Sequence, residues 1–542
     1  MASDTPSMSA SKRASANSGL RNSQTARPVS PHTPQPRSGN PSFASSTSPS
    51  SSFRSEDDAI IFEIGARWLR AGFEGSSTPM CVVGFGPEDS RRVGDYRGWI
   101  QGSTGAARLP QPIDVEEWTR IYELWRPDSR EVDLGLVEDK IERAFRETYN
   151  QFLLTDAGTS RLVLVLPSLM PHPLLSSLLS TLFSRWRFPS VTLLSSATMS
   201  ATAAGLRSAM VVDIGWAETT ATAIYEYREM TTKRTTRSMK HLMQEMGLLL
   251  TGLASDGNQH VDTAGKISVG FSYCEEVVSR FAWCKPQGEE DKNPDEPDRK
   301  LSIPSPANPE EEYMDVPFSR LAEPVEKVLL AAGVPEYELD DEEKSLPLLV
   351  YNTLLSLYPD ARGTCMSRIV FVGGGSRIPG LRERVLKEVS LLIDRHGWSP
   401  VRGKALERQR QRLEQLRLSA KAPTEPETPK EEEEAPSTGE APADPSKEVP
   451  EIDFVEQKLR RQNKDIPIPI QGVLREVESL GPWAGASLTT SLKIRGMVEI
   501  EREKFLQHGL AGATRDIDHP VPDRRSGLKS GDRSSWTLAG WA

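Results

Sequence analysis

The sequence is poor in cysteine, with four residues in 542 and no two placed as a CxxC pair. This scatter excludes a disulfide scaffold and a zinc ribbon, and it is typical of reduced thiols in the cytosol or nucleus. No apolar run approaches the roughly 18 residues that a membrane helix needs, and the first residues lack the apolar stretch of a secretory signal. We therefore expect a soluble, intracellular protein.

Apolar side chains are also scarce. The hydrophobic fraction is 37%, whereas globular chains have roughly 45–50% when glycine is counted as well. The net charge of −10, from 66 basic and 76 acidic residues, argues against direct binding to nucleic acid or membrane. Polar segments that cannot offset their chain entropy are expected to stay outside the packed core. They are a disordered Ser/Pro/Arg-rich tail at 1–57, a polar insertion at 285–310, a helical and then acidic insertion at 401–451, and a flexible tail at 513–542.

The remaining chain alternates apolar strands with helices. The clearest predicted strands are AIIFEI (59–64), LVLVL (162–166), MVVD (210–213) and RIVFV (368–372). This alternation predicts an α/β fold, with a parallel or mixed sheet covered on both faces. We predict a first lobe at 58–210, a second lobe at 211–400, and a C-terminal part of the same fold at 452–512.

Three of the predicted strands run into glycine turns, at Gly65, at Gly215 and at Gly373, Gly374 and Gly375. A pair of strand–turn–strand hairpins presents backbone N–H groups to phosphates from two sides. A third turn that leads into a helix could lie against the ribose and base of a nucleotide. Each turn alone is more often structural, but three in this order favour a nucleotide cleft.

Four stretches in this order resemble actin and the actin-related proteins: EIGARWLRAGFEG (63–75), MVVDIGWAETTATAIYE (210–226), IVFVGGGSRIPGLRERVLKEV (369–389) and PWAGASLTTSLKIRGMVEIEREKF (482–505). The resemblance covers roughly residues 58–512 apart from the insertions. It implies an actin-like fold of two RNase H-like lobes, with ATP and a divalent ion in the cleft between them. The cofactor-binding residues that it implies are Gly65, Arg70, Asp213, Gly215, Gly373, Gly374 and Gly375. ATP or ADP would then be a structural ligand, or else the glycines form tight turns beside an empty cleft.

The first phosphate loop departs from the family pattern. The metal-shell aspartate is replaced by Glu63, whose longer reach suits an octahedral Mg²⁺ site poorly. The family's serine and glycine are replaced by Ala66, which has no hydroxyl to donate, and by the bulky Arg67. Arg70 replaces the loop lysine and remains a cation that can bind phosphate.

The second loop departs as well. Trp216 stands where the family has an aspartate, and an indole cannot hold a metal-bound water. Ser196 takes the place of the glutamine that positions the hydrolytic water. Phosphoryl transfer depends on positioning and charge neutralisation, so we predict a pseudo-ATPase with no catalytic residue and no metal site. The opposing interpretation is that Arg67 clamps phosphate and preserves some turnover.

The second subdomain of the family is shrunken here, near residues 88–110. A subunit without its tip cannot present a normal pointed end to another subunit, so the protein is not expected to polymerise alone. In this respect the chain is most similar to the divergent fungal actin-related protein 10 type, which ends the dynactin filament. That similarity implies a cytoplasmic, cytoskeletal protein whose partners are actin-related filament subunits and other dynactin pointed-end proteins, in dynein-based transport.

Two alternatives stay open. A nuclear actin-related subunit of a chromatin-remodelling or histone-acetyltransferase complex would also have decayed ATP loops and charged insertions. An active ATPase of the wider sugar-kinase and chaperone superfamily is the third hypothesis. The residues at Ala66, Arg67, Trp216 and Ser196 argue against it.

Overall fold

The computed structural model describes residues 59–87, 90–92, 111–128, 130, 132–155, 160–255, 265–287, 299–306, 313–398, 472–494, 497–512 and 514–515. Several predicted segments lie wholly or largely outside these residues. They are the tail at 1–57, most of the shrunken subdomain at 88–110, the insertion at 401–451 and the tail at 513–542.

The described residues contain strands that fall into two main sheets and two short ribbons. The strands are β1 Ile60–Ile64, β2 Trp68–Phe73, β3 Cys81–Gly84, β4 Ser90–Arg92, β5 Ile113–Asp114, β6 Leu162–Leu166, β7 Ser190–Ser195, β8 Ala209–Ile214, β9 Thr219–Tyr225, β10 Arg228–Thr235, β11 Lys266–Ile267, β12 Lys300–Pro304, β13 Tyr313–Pro317, β14 Ile369–Val372, β15 Val498–Glu501 and β16 Thr514–Arg515.

Helices alternate with these strands. They are α1 Val115–Arg120, α2 Leu134–Glu147, α3 His172–Thr181, α4 Ser196–Ala203, α5 Met239–Ser255, α6 Phe271–Phe281, α7 Glu323–Leu329, α8 Leu346–Leu355, α9 Pro359–Met366, α10 Leu381–His396, α11 Pro482–Ser491 and α12 Arg502–His508. Within the part of the chain that the structure describes, none of them is both long enough and apolar enough to span a bilayer.

The first sheet has the order β16-β15-β7-β6-β1-β2-β3-β4. Strands β1, β2 and β3 form an antiparallel meander, and β6 and β7 join β1 in parallel. Alternate residues of β1 are buried on opposite faces: Phe62 lies in one core cluster and Ile61 in another. Burial on both faces explains why this strand reads as a continuous apolar run.

The second sheet repeats this arrangement with the order β10-β9-β8-β14. Strands β8, β9 and β10 are an antiparallel meander, and β14 is parallel to β8. Residues 475–477 extend the sheet beyond β14, because Ile369 exchanges backbone hydrogen bonds with Arg475 and Val477. The order β14-β8-β9-β10 repeats the order and directions of β6-β1-β2-β3 in the first sheet, so the predicted actin-like α/β fold with two related lobes is confirmed.

We call the first sheet with its helices the first lobe, and the second sheet with its helices the second lobe. Helix α4 lies between them. Its Met199 packs in a cluster with residues of the first sheet, whereas its Ala197 and Ala201 pack against the second. The C-terminal part of the chain returns to the first lobe, where β15 pairs with β7 and α11 packs on α4.

One predicted insertion is partly built into the fold. Residues 285–310 were predicted to be a polar insertion, yet Lys300–Pro304 form β12, which pairs with β13. Ile303 of β12 is fully buried in the core of the second lobe, and Leu301 packs against that core. Two inward apolar residues are enough to anchor the strand, although its composition is polar.

Candidate functional site

The first two glycine turns are the hairpin turns at the start of each meander. The Gly65 N–H donates to the carbonyl oxygen of Trp68 at 2.9 Å, and the Gly215 N–H donates to that of Glu218 at 3.2 Å. A β-carbon on Gly215 would lie 2.8 Å from this same oxygen. Both turns are therefore tightly closed, and each uses one amide internally.

The third turn packs against the second. Gly373 follows β14 and has a φ of 83°, and a β-carbon there would lie 2.7 Å from the carbonyl carbon of Ile214. A β-carbon on Gly375 would lie 2.8 Å from the sulfur of Met239 at the start of α5. No atom lies within 4 Å of the corresponding position on Gly374. Packing accounts for two of the three glycines, and Gly374 faces open space.

Carboxylates gather beside these turns. Glu63 and Arg70 face each other across the β1–β2 pair and form an ion pair. Burial, together with the charge of Glu63, raises the pKa of Asp213 at the end of β8 to about 6, while Arg70 opposes the shift. Burial likewise raises the pKa of Glu218 to about 7, against the effect of Arg234. The first two turns thus lie close enough for their charges to interact.

Arg67, in the first turn, is buried with 2% of its surface exposed. Its guanidinium carbon lies over four aromatic rings. The distances to the ring centroids are 4.0 Å for Trp68, 5.2 Å for Tyr122, 5.2 Å for Phe271 and 6.0 Å for Trp216. Planar guanidinium groups suit such stacking, and the attraction grows when water is excluded.

A carboxylate also lies beside the guanidinium group of Arg67. Glu275 of α6 lies 3.6 Å from a terminal nitrogen of Arg67. Phe271 stacks on Tyr122 at 3.7 Å and meets Trp216 edge-on at 5.8 Å. We call this set the arginine cage: Arg67, Trp68, Tyr122, Trp216, Phe271 and Glu275. Trp216 packs against the cores of both lobes, so the cage spans the space between the two phosphate-type turns.

Residues 111–126, which we call the strap, connect the two lobes next to the cage. Strand β5 of the strap pairs with β11 of the second lobe. Trp118 is buried in the core of the second lobe and donates its indole N–H to the carbonyl oxygen of Val269 at 3.0 Å. Leu124 and Trp125 are buried in the core of the first lobe, and the Leu124 N–H donates to the carbonyl oxygen of Ala66 at 2.7 Å.

Two lysines, one from each lobe, bind the strap through ion pairs and a hydrogen bond. Lys240 of α5 lies 3.0 Å from Glu116 and 3.4 Å from the buried Glu123. From the first lobe, Lys140 of α2 donates to the carbonyl oxygen of Glu123 at 2.6 Å. Burial lowers the pKa of Lys140 to about 8, with the nearby Glu123 carboxylate opposing the shift. These contacts tie the strap to helices of both lobes.

Ser196 is the first residue of α4. Several hydroxyl groups near the start of this helix bond to the carboxylate of Glu229. Glu229, in β10, accepts hydrogen bonds from the hydroxyls of Ser168 at 3.1 Å and Thr198 at 3.2 Å, and it also bonds Ser195. The hydroxyl of Ser195 caps the helix by accepting from the Thr198 N–H. The two residues on either side of this position in the network, Ser195 and Thr198, thus bond to Glu229 of the second lobe.

The residues between the turns do not fit a magnesium triphosphate. Arg67 is turned into the cage, and Ala66 is buried. Among the described residues, no group of three or more His, Cys, Asp or Glu side chains could hold a metal ion. Without a divalent cation between them, the carboxylates of Glu63, Asp213 and Glu218 would repel phosphate wherever they are ionised.

Sequence reasoning located the turns but missed the cage and the strap. It identified Arg67 as a lost glycine and Trp216 as a lost aspartate, without indicating that the two side chains come together. Phe271 and Glu275 lie about 200 residues further along the chain, on a helix without a motif of its own. A surplus of aromatic residues in the strap, including Trp118 and Tyr122, was the available signal.

Comparisons with known proteins agree with this architecture. Residues 54–241 match the family model for actin. Actin-related protein 4 of Schizosaccharomyces pombe is 28% identical over 178 residues, which cover 32% of this chain and 36% of that relative. The match thus spans about a third of the relative's length. Residues 54–241 are therefore similar to actin, and the repeated strand order of the two sheets agrees with an actin-like fold.

Proposed function

We propose that this protein is a non-catalytic actin-related protein, a structural subunit that caps the pointed end of the dynactin actin-like filament and so supports dynein-based transport. The observation that carries the non-catalytic part is the arginine cage. Arg67 and Trp216 come from the two turns between which phosphates and a metal would have to lie. Instead, the guanidinium carbon of Arg67 lies 6.0 Å from the centroid of the Trp216 ring, and Arg67 pairs with Glu275.

The proposed lack of ATP hydrolysis follows from the side chains at the phosphate-binding and water-positioning sites. Ala66 offers no hydroxyl, and Trp216 cannot hold a metal-bound water. Ser196 has a hydroxyl where the family has the glutamine amide, and its backbone carbonyl accepts from the Ser200 hydroxyl. With neither charge neutralisation nor water positioning in place, a phosphoryl-transfer barrier would remain close to that in solution.

The capping role is supported by the strap. In the family, the segment after the first meander builds a tip that reaches the next subunit. Here β5 and α1 are folded onto the second lobe by the pairing of β5 with β11 and by the burial of Trp118. Only residues 93–110 separate β4 from the start of the strap. Head-to-tail assembly stops when one of the two complementary ends is disabled.

The expected partners are actin-related filament subunits and the other pointed-end proteins of dynactin, in the cytoplasm. The nuclear alternative, a chromatin-remodelling or acetyltransferase subunit, shares the non-catalytic cleft. The two differ in which complex co-purifies with a tagged full-length chain: dynein-activator subunits support the first, and remodeller motors would overturn it.

ATP turnover is expected to be indistinguishable from background in the purified protein, because the phosphate-binding and water-positioning groups are replaced. Phosphate release would be measured with the wild type beside Asp213→Ala, since contaminating ATPases would be equally active in both samples. Release at actin-like rates that is lost in Asp213→Ala would contradict the pseudo-ATPase proposal.

In actin-polymerising salt, the purified protein is expected to remain in the supernatant on sedimentation, and to shorten or stabilise filaments of its actin-related partner at one end. The surface for this contact would include α11, where Leu488 and Leu492 are 47% and 62% exposed. The double variant Leu488→Asp/Leu492→Asp should abolish the effect. Leu391→Asp, at a 40% exposed leucine of α10, should preserve it. Self-assembled filaments, or incorporation along the filament, would contradict the capping proposal.

A further inference from the structure

The arginine cage and the strap together suggest a role for the cleft other than ligand binding. We infer that Arg67 takes the place of a nucleotide as the group that joins the two lobes, so that the cleft is closed by the chain itself and stays closed without any ligand. This inference rests on the proposed non-catalytic function. It concerns the isolated protein, so it can fail while the capping role stands.

Arg67 has the chemistry that such a role needs. A buried charge is costly unless it is paired and enclosed by polarisable groups. Arg67 comes from the first lobe, whereas its counter-charge Glu275 and the ring of Phe271 come from α6 of the second lobe. Separating the lobes would therefore leave a guanidinium and a carboxylate without these neighbours. Opening would also take Arg67 away from the ring of Phe271 and lose a cation–π contact that is strongest when water is excluded, so the cage favours the closed arrangement.

The strap is a second connection between the two lobes, next to the arginine cage. Within a few residues it buries Trp118 in the second core and Leu124 in the first. Tyr122, between them, stacks on Phe271 and lies under Arg67. The strap thus contributes one wall of the arginine cage. An opening motion would have to withdraw Trp118 from its core and break the cage in the same step.

The third turn packs within the second lobe. Gly373 packs against Ile214 at the end of β8, so the loop that would approach a ribose is already in contact with protein. Gly374 alone faces open space. The ionisable groups facing Asp213 are Glu63, Arg70 and Glu218. Three of these four side chains are acidic and would disfavour a phosphate that is not bound to a divalent cation.

Amide hydrogen exchange on the full-length protein, with and without Mg²⁺-ATP, tests the inference. In the wild type, the two hairpin turns and the strap should be protected without nucleotide, and their exchange should not change when Mg²⁺-ATP is added. In Arg67→Lys, which keeps the charge but loses the planar stacking group, exchange in the turns and the strap should be ~10-fold faster or more. The β12–β13 ribbon should be unaffected.

Arg395→Ala is the matched control, because Arg395 is 62% exposed and forms a surface ion pair with Glu336; its exchange should equal that of the wild type. Slower exchange of the wild-type turns on adding Mg²⁺-ATP would overturn the inference, because the nucleotide would then close the cleft. An Arg67→Lys variant with wild-type exchange would overturn it as well. Should Arg67→Lys fail to fold, the wild-type comparison with and without Mg²⁺-ATP still decides.

Discussion

Replacing Gly485 by alanine is expected to destabilise the protein by more than about 3 kcal/mol, an unusually large effect for a single added methyl group. Gly485 lies in α11 where that helix crosses α4. A β-carbon there would lie 2.7 Å from the carbonyl carbon of Met199 and closer still to its oxygen. Both contacts are with backbone, so no side-chain rotation can relieve them. The two helices would have to separate, uncovering a face of the first sheet.

The measurement is unfolding in denaturant, monitored by tryptophan fluorescence. Gly252→Ala is the matched control, since Gly252 lies inside helix α5 and no atom is within 4 Å of the added carbon. Because alanine favours helix over glycine, this control should be more stable than the wild type by roughly 0.5–1 kcal/mol. Equal midpoints for the two variants would show that α11 and α4 do not pack as closely as described.

Truncating Trp118 to alanine is expected to cost about 3–5 kcal/mol and to release the strap. The side chain is 5% exposed, lies 5.1 Å from the ring of Phe271, and donates the hydrogen bond to Val269. Its removal leaves a cavity in the second core and an unsatisfied carbonyl oxygen. Trypsin should then cut after Arg120 much faster than in the wild type.

Ile121→Ala provides the comparison within the same segment. Ile121 is 51% exposed, so its truncation should change neither the unfolding midpoint nor the cleavage rate appreciably. A Trp118→Ala variant whose strap resists trypsin as well as the wild type would mean that the charged contacts of Lys240 and Lys140 hold the strap by themselves.

The sequence made the central strands of both lobes predictable because they are buried on both faces. The apolar runs of β1, β6, β8 and β14 were each identified within one or two residues of their observed ends. The turns after β1, β8 and β14 were also predicted, because glycine marks them locally. The actin-like α/β fold was predicted from the resemblance, and the observed topology confirms it.

The rest depends on contacts between distant residues. The short strands β5 and β11 have two residues each and carry no periodicity to detect. The role of Gly373 as a packing residue becomes visible only when β14 lies beside β8. The arginine cage needs side chains from the first turn, the strap and α6, so no window of sequence contains it.

The strand order of the first sheet also has a consequence for synthesis on the ribosome. Strand β7 ends at Ser195, but β15, its partner on the outer side, begins at Val498. About 300 residues separate them, so at roughly 5–20 residues per second β7 waits on the order of 15–60 seconds for its neighbour. Throughout that interval an unpaired strand edge, and the face of α4 that α11 will cover, are open to other chains. During its synthesis the first lobe therefore exposes an edge that can pair with a strand of another chain.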